Sequence, residues 1–103
     1  MRLLSYDTER GIYDEFAPQR VRSWVYFIQQ GRDGPIKIGK ATDPYSRMAT
    51  LQSGCTVELR LLGVTPGGVR EERAYQRQFA HLRIRGEWFQ PGPDLLAILP
   101  QPD

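Results

Sequence analysis

The chain has 103 residues, 40% of them apolar and 25% charged, which fits one compact domain and excludes a large multi-domain enzyme. Fourteen Lys and Arg against twelve Asp and Glu leave a formal charge of +2, too little by itself to announce a nucleic-acid or membrane partner. The distribution says more: residues 24–90 hold ten basic and six acidic side chains, residues 1–23 hold four of each, and residues 91–103 hold only two acids.

No run approaches the roughly 18 consecutive apolar residues that a membrane span needs. The start turns acidic at Asp7 before a signal-peptide core can form, so the expectation is a soluble, cytoplasmic protein with no membrane partner. A single cysteine, Cys55, and a single histidine, His81, supply neither an internal disulfide nor a ligand set for structural zinc. Cys55 reads as a small buried residue and His81 as a surface or boundary residue.

In chain order, residues 1–23 mix charges with isolated apolar residues and show no sustained period, which predicts an irregular N-terminal arm. Trp24-Val25-Tyr26-Phe27-Ile28 is β-branched and aromatic, and after a Gly/Asp/Pro loop comes Ile36-Lys37-Ile38-Gly39, so the two runs predict a β-hairpin. Ile36 and Ile38 share one face of the second strand, which sends Lys37 to the other. Asp43 and Pro44 then predict a helix start, with Asp43 as N-cap and Gly54 closing about ten residues later. Arg47 lies one turn in, near the end where helical N–H groups favour an anion.

Val57–Leu62 alternates apolar and polar residues and predicts a third, half-buried strand, ended by the Pro66-Gly67-Gly68 turn. A main helix is expected from Val69 to about Leu82, with Tyr75, Phe79 and Leu82 as its core stripe and Glu72 on or beside it. Arg70, Arg73 and Arg77 recur along its flank as a basic edge. Gly86-Glu87-Trp88-Phe89 predicts a short strand or turn, and Asp94–Leu99 a small closing helix. The sum is a small α/β (α+β) domain: a three-stranded, mostly antiparallel sheet flanked by helices, with a core over 24–92 and a short C-terminal helix and tail over 93–103.

These residues also carry a resemblance. Trp24-Val25-Tyr26, then ten residues, then Lys37-Ile38-Gly39-Lys40-Ala41, then Asp43 and Arg47, resemble the signature of the GIY-YIG nuclease superfamily, whose core is a hairpin followed by a helix bearing an arginine. Glu72-Arg73-Ala74-Tyr75 is similar to the pattern on the later helix of that superfamily, where the glutamate binds the metal. With Gly86-Glu87-Trp88-Phe89, the closest likeness is to the short phage, bacterial and fungal branch labelled meiotically up-regulated-gene-like. The literal tripeptide Gly11-Ile12-Tyr13 is followed by Asp14-Glu15 rather than strand residues and reads as coincidence.

The resemblance implies a metal-dependent DNA endonuclease, with RNA not excluded as substrate, and targeting borrowed from a partner or a homodimer. Elementary chemistry asks for the same parts: a positioned nucleophile, a cation opposite the charge that develops on phosphorus, and help for the leaving oxygen. Tyr26 would orient or deprotonate water, which requires a neighbouring cation because free tyrosine titrates near pH ~10; Lys37 is the candidate cation, or else a phosphate contact. Arg47 would grip the scissile phosphate bidentately, and Glu72 would give a carboxylate to Mg²⁺ or Mn²⁺. Lys40, Arg70, Arg73 and Arg77 are the candidate nucleic-acid contacts. Glu87 is either a second acid near the metal or part of a structural Glu-Trp-Phe segment.

Taken singly, Tyr26 would be a packed strand aromatic, and Arg47 and Glu72 solvated helix charges. The branch has a histidine four residues after the metal glutamate, and this chain has Gln76 there. The alternative is therefore a nucleic-acid- or partner-binding module whose nuclease site is weakened or inactive, or a structural protein with a vestigial site. Convergence of Tyr26, Lys37, Arg47 and Glu72 on one surface is the structural expectation that separates a site from scattered charges.

Overall fold

The structure is a computed structural model that describes Leu3 and residues 21–100. The predicted arm and its Gly11-Ile12-Tyr13 fall almost entirely outside the described residues. The elements run β1 (Trp24–Gln30), β2 (Ile36–Ala41), α1 (Pro44–Gln52), β3 (Leu59–Pro66), α2 (Val69–Gln78), a 3-10 turn (Ala80–Leu82), β4 (Arg83–Arg85), β5 (Trp88–Phe89) and α3 (Pro93–Ala97). The class is as expected, but the sheet has five strands rather than three, in the order β3-β1-β2-β5-β4, and every pairing is antiparallel.

β1 is an interior strand, between β3 and β2, and its unbroken apolar run has a two-sided cause. Val25 and Phe27 pack with Ile36, Ile38, Phe79, Phe89 and Leu95 on the side of α2 and α3. Trp24, Tyr26 and Ile28 pack with Leu59, Val64, Met48 and Leu51 on the side of α1. Burial on both faces removes the polar half of the alternation, which is why the strand reads as continuous. The Phe27 and Tyr75 rings meet edge to face at 5.3 Å and tie β1 to α2.

β3 starts later and ends later than the alternation of 57–62 predicts. Gln52, at the end of α1, donates to the Val57 carbonyl and accepts from the Leu59 N–H, so the approach to β3 is held by the helix end, with one further bond from the Gly31 N–H to the Glu58 carbonyl. Phe27 pairs with Gly63 and Ile28 with Leu61, leaving Leu62 as the extra residue of a β-bulge. Leu61 consequently packs toward α1 and Leu62 toward α2. β3 is an edge strand, where the terminal Pro66 costs no sheet hydrogen bond.

α1 begins as predicted: Asp43 Oδ1 accepts from the Ser46 N–H at 3.2 Å and Pro44 occupies the first turn. The main helix is shorter than predicted. α2 stops at Gln78, and Phe79, fully buried, begins the tighter 3-10 turn that brings Leu82 onto the same core. β4 and β5 close a hairpin around Gly86, whose φ of 56° is a left-handed conformation natural to glycine. α3 spans Pro93–Ala97 rather than 94–99, and buries Leu95 in the α2-side core. Cys55 is half-buried against the α1-side cluster, more exposed than expected.

Candidate active site

Tyr26 lies opposite Gly39 across the β1–β2 ladder, and the missing side chain is what makes room for its ring. A Cβ at Gly39 would stand 2.5 Å from the Tyr26 hydroxyl oxygen and 2.6 Å from Cζ. Gly39→Ala is therefore expected to destabilise the fold by about 1–3 kcal/mol through overpacking and to displace the hydroxyl. Urea denaturation of the variant beside wild type measures the first effect.

Arg47 rises from the first turn of α1 and its guanidinium donates to the Tyr26 hydroxyl oxygen. Tyr26 nevertheless holds its proton more tightly than free tyrosine. Burial is the largest cause, and the charges of Glu87 and Glu72 add to it, while the Arg47 hydrogen bond and charge oppose it. The sequence expectation that Lys37 acts as the cation beside Tyr26 is thus corrected: Arg47 fills that place, and its pull does not overcome burial and the two carboxylates.

Lys37 projects to the Tyr26 side of the sheet, as the strand period requires, but its Nζ is bound to Glu87 at 3.1 Å and lies 5.3 Å from the centre of the Trp88 ring. The Glu-Trp-Phe segment is structural at its aromatic end and charged at Glu87. Phe89 is fully buried in the core, Trp88 carries Lys37 on its face, and Glu87 stands in the charge cluster. β5 pairs with β2 only at Ile36 and Lys37, followed by one hydrogen bond from the Ile38 N–H to the Glu87 carbonyl. Beyond that bond, the stretch of β2 through Gly39 and Lys40 is free of β5, and Glu72 from α2 reaches the field of Lys40 there.

Glu72 is only 8% exposed. Its carboxyl keeps its proton above the ordinary range, chiefly through burial and then through the negative charge of Glu87; Lys40, Arg73 and Lys37 pull in the opposite direction. Glu87 is the common neighbour: its charge acts on both Tyr26 and Glu72 and it pairs with Lys37, while Arg47 acts on Tyr26. Lys40 acts on Glu72. Of the helix-flank arginines, Arg73 neighbours Glu72, Arg73 and Arg77 line a hollow beyond it, and Arg70 sits apart in the first turn of α2 beside Glu71.

Two residues gain roles the sequence did not assign. Gln76 donates from Nε2 to the Ile38 carbonyl at 2.9 Å and accepts from Arg83 at 3.4 Å, so it ties α2 to the strand bearing Lys37 and Gly39. His81 is exposed and paired with Asp94 at 2.8 Å, away from the vacant histidine position. Among the described residues, no group of three or more His, Cys, Asp or Glu side chains comes together as a metal cluster, and no helix is long and apolar enough to cross a membrane.

The fold and this cluster define a small α+β domain with a phenol, a guanidinium and two carboxylates gathered beside its central hairpin. Residues 23–97 match the T5orf172 domain, and the chain belongs to that family. No curated protein and no solved structure matches it.

Proposed function

We propose that the chain is a metal-dependent DNA endonuclease that hydrolyses phosphodiester bonds with a GIY-YIG-type site. The observation that supports this most is the Arg47 hydrogen bond to Tyr26 within the fields of Glu72 and Glu87. On this reading Arg47 would grip an anion, the Tyr26 hydroxyl would orient water, and the two carboxylates would bind a metal ion.

The donor set suits Mg²⁺ or Mn²⁺. Glu72 and Glu87 offer hard oxygen ligands, and their mutual repulsion, felt in the raised proton affinity of Glu72, is what a divalent cation relieves. With two carboxylates at most from the described residues, the ion would keep waters and share the substrate phosphate, the habit of Mg²⁺ beside nucleic acids. When bound, it supplies positive charge to the reacting phosphate. Arg47 holds the non-bridging oxygens of that phosphate. Tyr26, protonated at neutral pH, would orient the attacking water through its O–H, since its oxygen already accepts from Arg47. Lys37 fixes Glu87 from below through the ion pair and the Trp88 face.

Tyr26→Phe keeps the packed ring and removes only the hydroxyl, so it is expected to lower the single-turnover cleavage rate of a labelled oligonucleotide by about 10²–10⁴-fold with an unchanged circular-dichroism spectrum. Wild-type rates in the variant would remove Tyr26 from the chemistry. One observation favours a second reading, a nucleic-acid-binding module that does not cut. Both ends of the Gln76 amide are engaged, with Ile38 and Arg83, so the position that carries a histidine in the resembling branch offers no acid or base here.

A further inference from the structure

The hollow beside the site is lined by Arg73, Gln76, Arg77, Ala80 and Arg83 and has a volume of about 240 Å³. Three of its five lining residues are arginines, and no carboxylate is among them. Arg73 and Arg77 stand one helical turn apart on α2, their Cβ atoms about 5–6 Å from each other. Arg83 comes from the opposite wall, on edge strand β4. Its guanidinium lies 5.2 Å from the centre of the Phe89 ring and donates to Gln76 Oε1 at 3.4 Å. Gln76 is in turn held by the Ile38 carbonyl. Arg83 is thereby placed from two sides, which reduces the side-chain entropy lost when it takes a ligand.

The geometry points to a second phosphate site in this hollow, which takes a backbone phosphodiester of the nucleic acid next to the one held by Arg47. It rests on the nucleic-acid substrate of the preceding reading. Arg73 links the two sites: it lines the hollow and also acts on Glu72. A strand leaving the Glu72 cluster would follow the C-terminal half of α2 toward β4, its successive phosphates meeting Arg73 and then the Arg77–Arg83 pair. Gln76 is the positioning residue for this path. It spans the hollow and the strand that bears Lys37 and Gly39, so one side chain sets the register between the held phosphate and the cut one. Arg70, in the first turn of α2, lies off this path.

The test is binding without cleavage. Labelled single-stranded and duplex oligonucleotides are titrated by fluorescence anisotropy in EDTA over a range of salt, using the full chain. The Arg77→Ala/Arg83→Ala double variant is expected to bind about 10–100-fold more weakly at low salt and to lose about one unit of salt slope for each phosphate contact removed. Arg32→Ala, on the β1–β2 loop, is the charge control and keeps the wild-type slope. Gln76→Met, which keeps the volume and loses both hydrogen bonds, is expected to lower the slope by up to one contact. Arg83→Lys is expected to retain the slope while losing part of the affinity. Melting temperatures verify that each variant folds. A double variant that binds with the wild-type affinity and slope overturns the inference, and so does an equal loss in Arg32→Ala. If wild type binds and the double variant loses binding while no preparation ever cuts, the second phosphate site stands and the nuclease reading falls.

Discussion

Glu72→Gln is expected to abolish metal-dependent DNA cleavage and, in the same protein, to raise the melting temperature at neutral pH when divalent ions are absent. The two effects have one origin. Glu72 is a nearly buried carboxylate beside a second acid, and its proton affinity is raised first by burial and then by Glu87. A carboxyl whose pKa is higher in the folded than in the unfolded chain favours folding most below its ordinary value of 4.5. That contribution is lost as the pH rises through the raised value, because the native state then pays for burying the charge. A neutral glutamine has no such pH dependence, so the variant gains a few degrees at pH 7 over wild type and no advantage at pH 4. Added Mg²⁺ or Mn²⁺ binds the native wild type and raises its melting temperature, while Glu72→Gln gains little. Thermal scans at the two pH values, with and without metal, measure all four quantities. A lower melting temperature of the variant at pH 7 without metal contradicts this account of Glu72.

Arg47→Ala is expected to lower the cleavage rate by about 10²–10³-fold, the usual loss for removing one preorganised donor aimed at developing charge. Arg47 is exposed and lies at the start of α1, so the fold should tolerate the change. Arg47→Lys restores the charge without the planar pair of donors and should recover only a small part of the rate, because an ammonium cannot hold both a phosphate and the Tyr26 oxygen in the guanidinium geometry. Loss of the Arg47 charge also removes a cation that opposes the upward shift of Tyr26, so the phenol of Arg47→Ala should titrate at higher pH than in wild type. Ultraviolet titration of the tyrosines, compared with Tyr26→Phe, reads that shift separately from catalysis. Full rescue by lysine would mean that Arg47 supplies charge alone.

The parts of this arrangement that were legible in the sequence are those set by neighbours along the chain. The β-branched and aromatic run of β1, the loop to β2 and the Asp43-Pro44 start of α1 are local signals, and each element lies where they place it. β4 escaped because Arg83-Ile84-Arg85 is exposed throughout. It buries no face, so no burial pattern marks it, and pairing with β5 alone makes it a strand. The end of β3 was hidden by the Leu62 bulge, which breaks the period of two on which the prediction relied. In the site, the residue types in sequence order picked out Tyr26, Arg47 and Glu72, yet not which cation faces the phenol. That depends on Lys37 being drawn to Glu87 and Trp88 across the β2–β5 pair, a long-range choice between two partners. The role of Gln76 is hidden for the same reason, since its partners Ile38 and Arg83 lie on two other elements.

If Tyr26, Lys37, Arg47, Glu72 and Glu87 form a working hydrolytic site, the conversion of supercoiled plasmid to nicked circles measures it most directly. Wild-type protein should nick the plasmid in Mg²⁺ or Mn²⁺ and not in EDTA, and folded Arg47→Ala and Glu72→Gln should leave it supercoiled over the same interval. Wild-type protein that binds the plasmid with a steep salt dependence yet leaves it intact in both metals would contradict the claim and establish the binding module in its place.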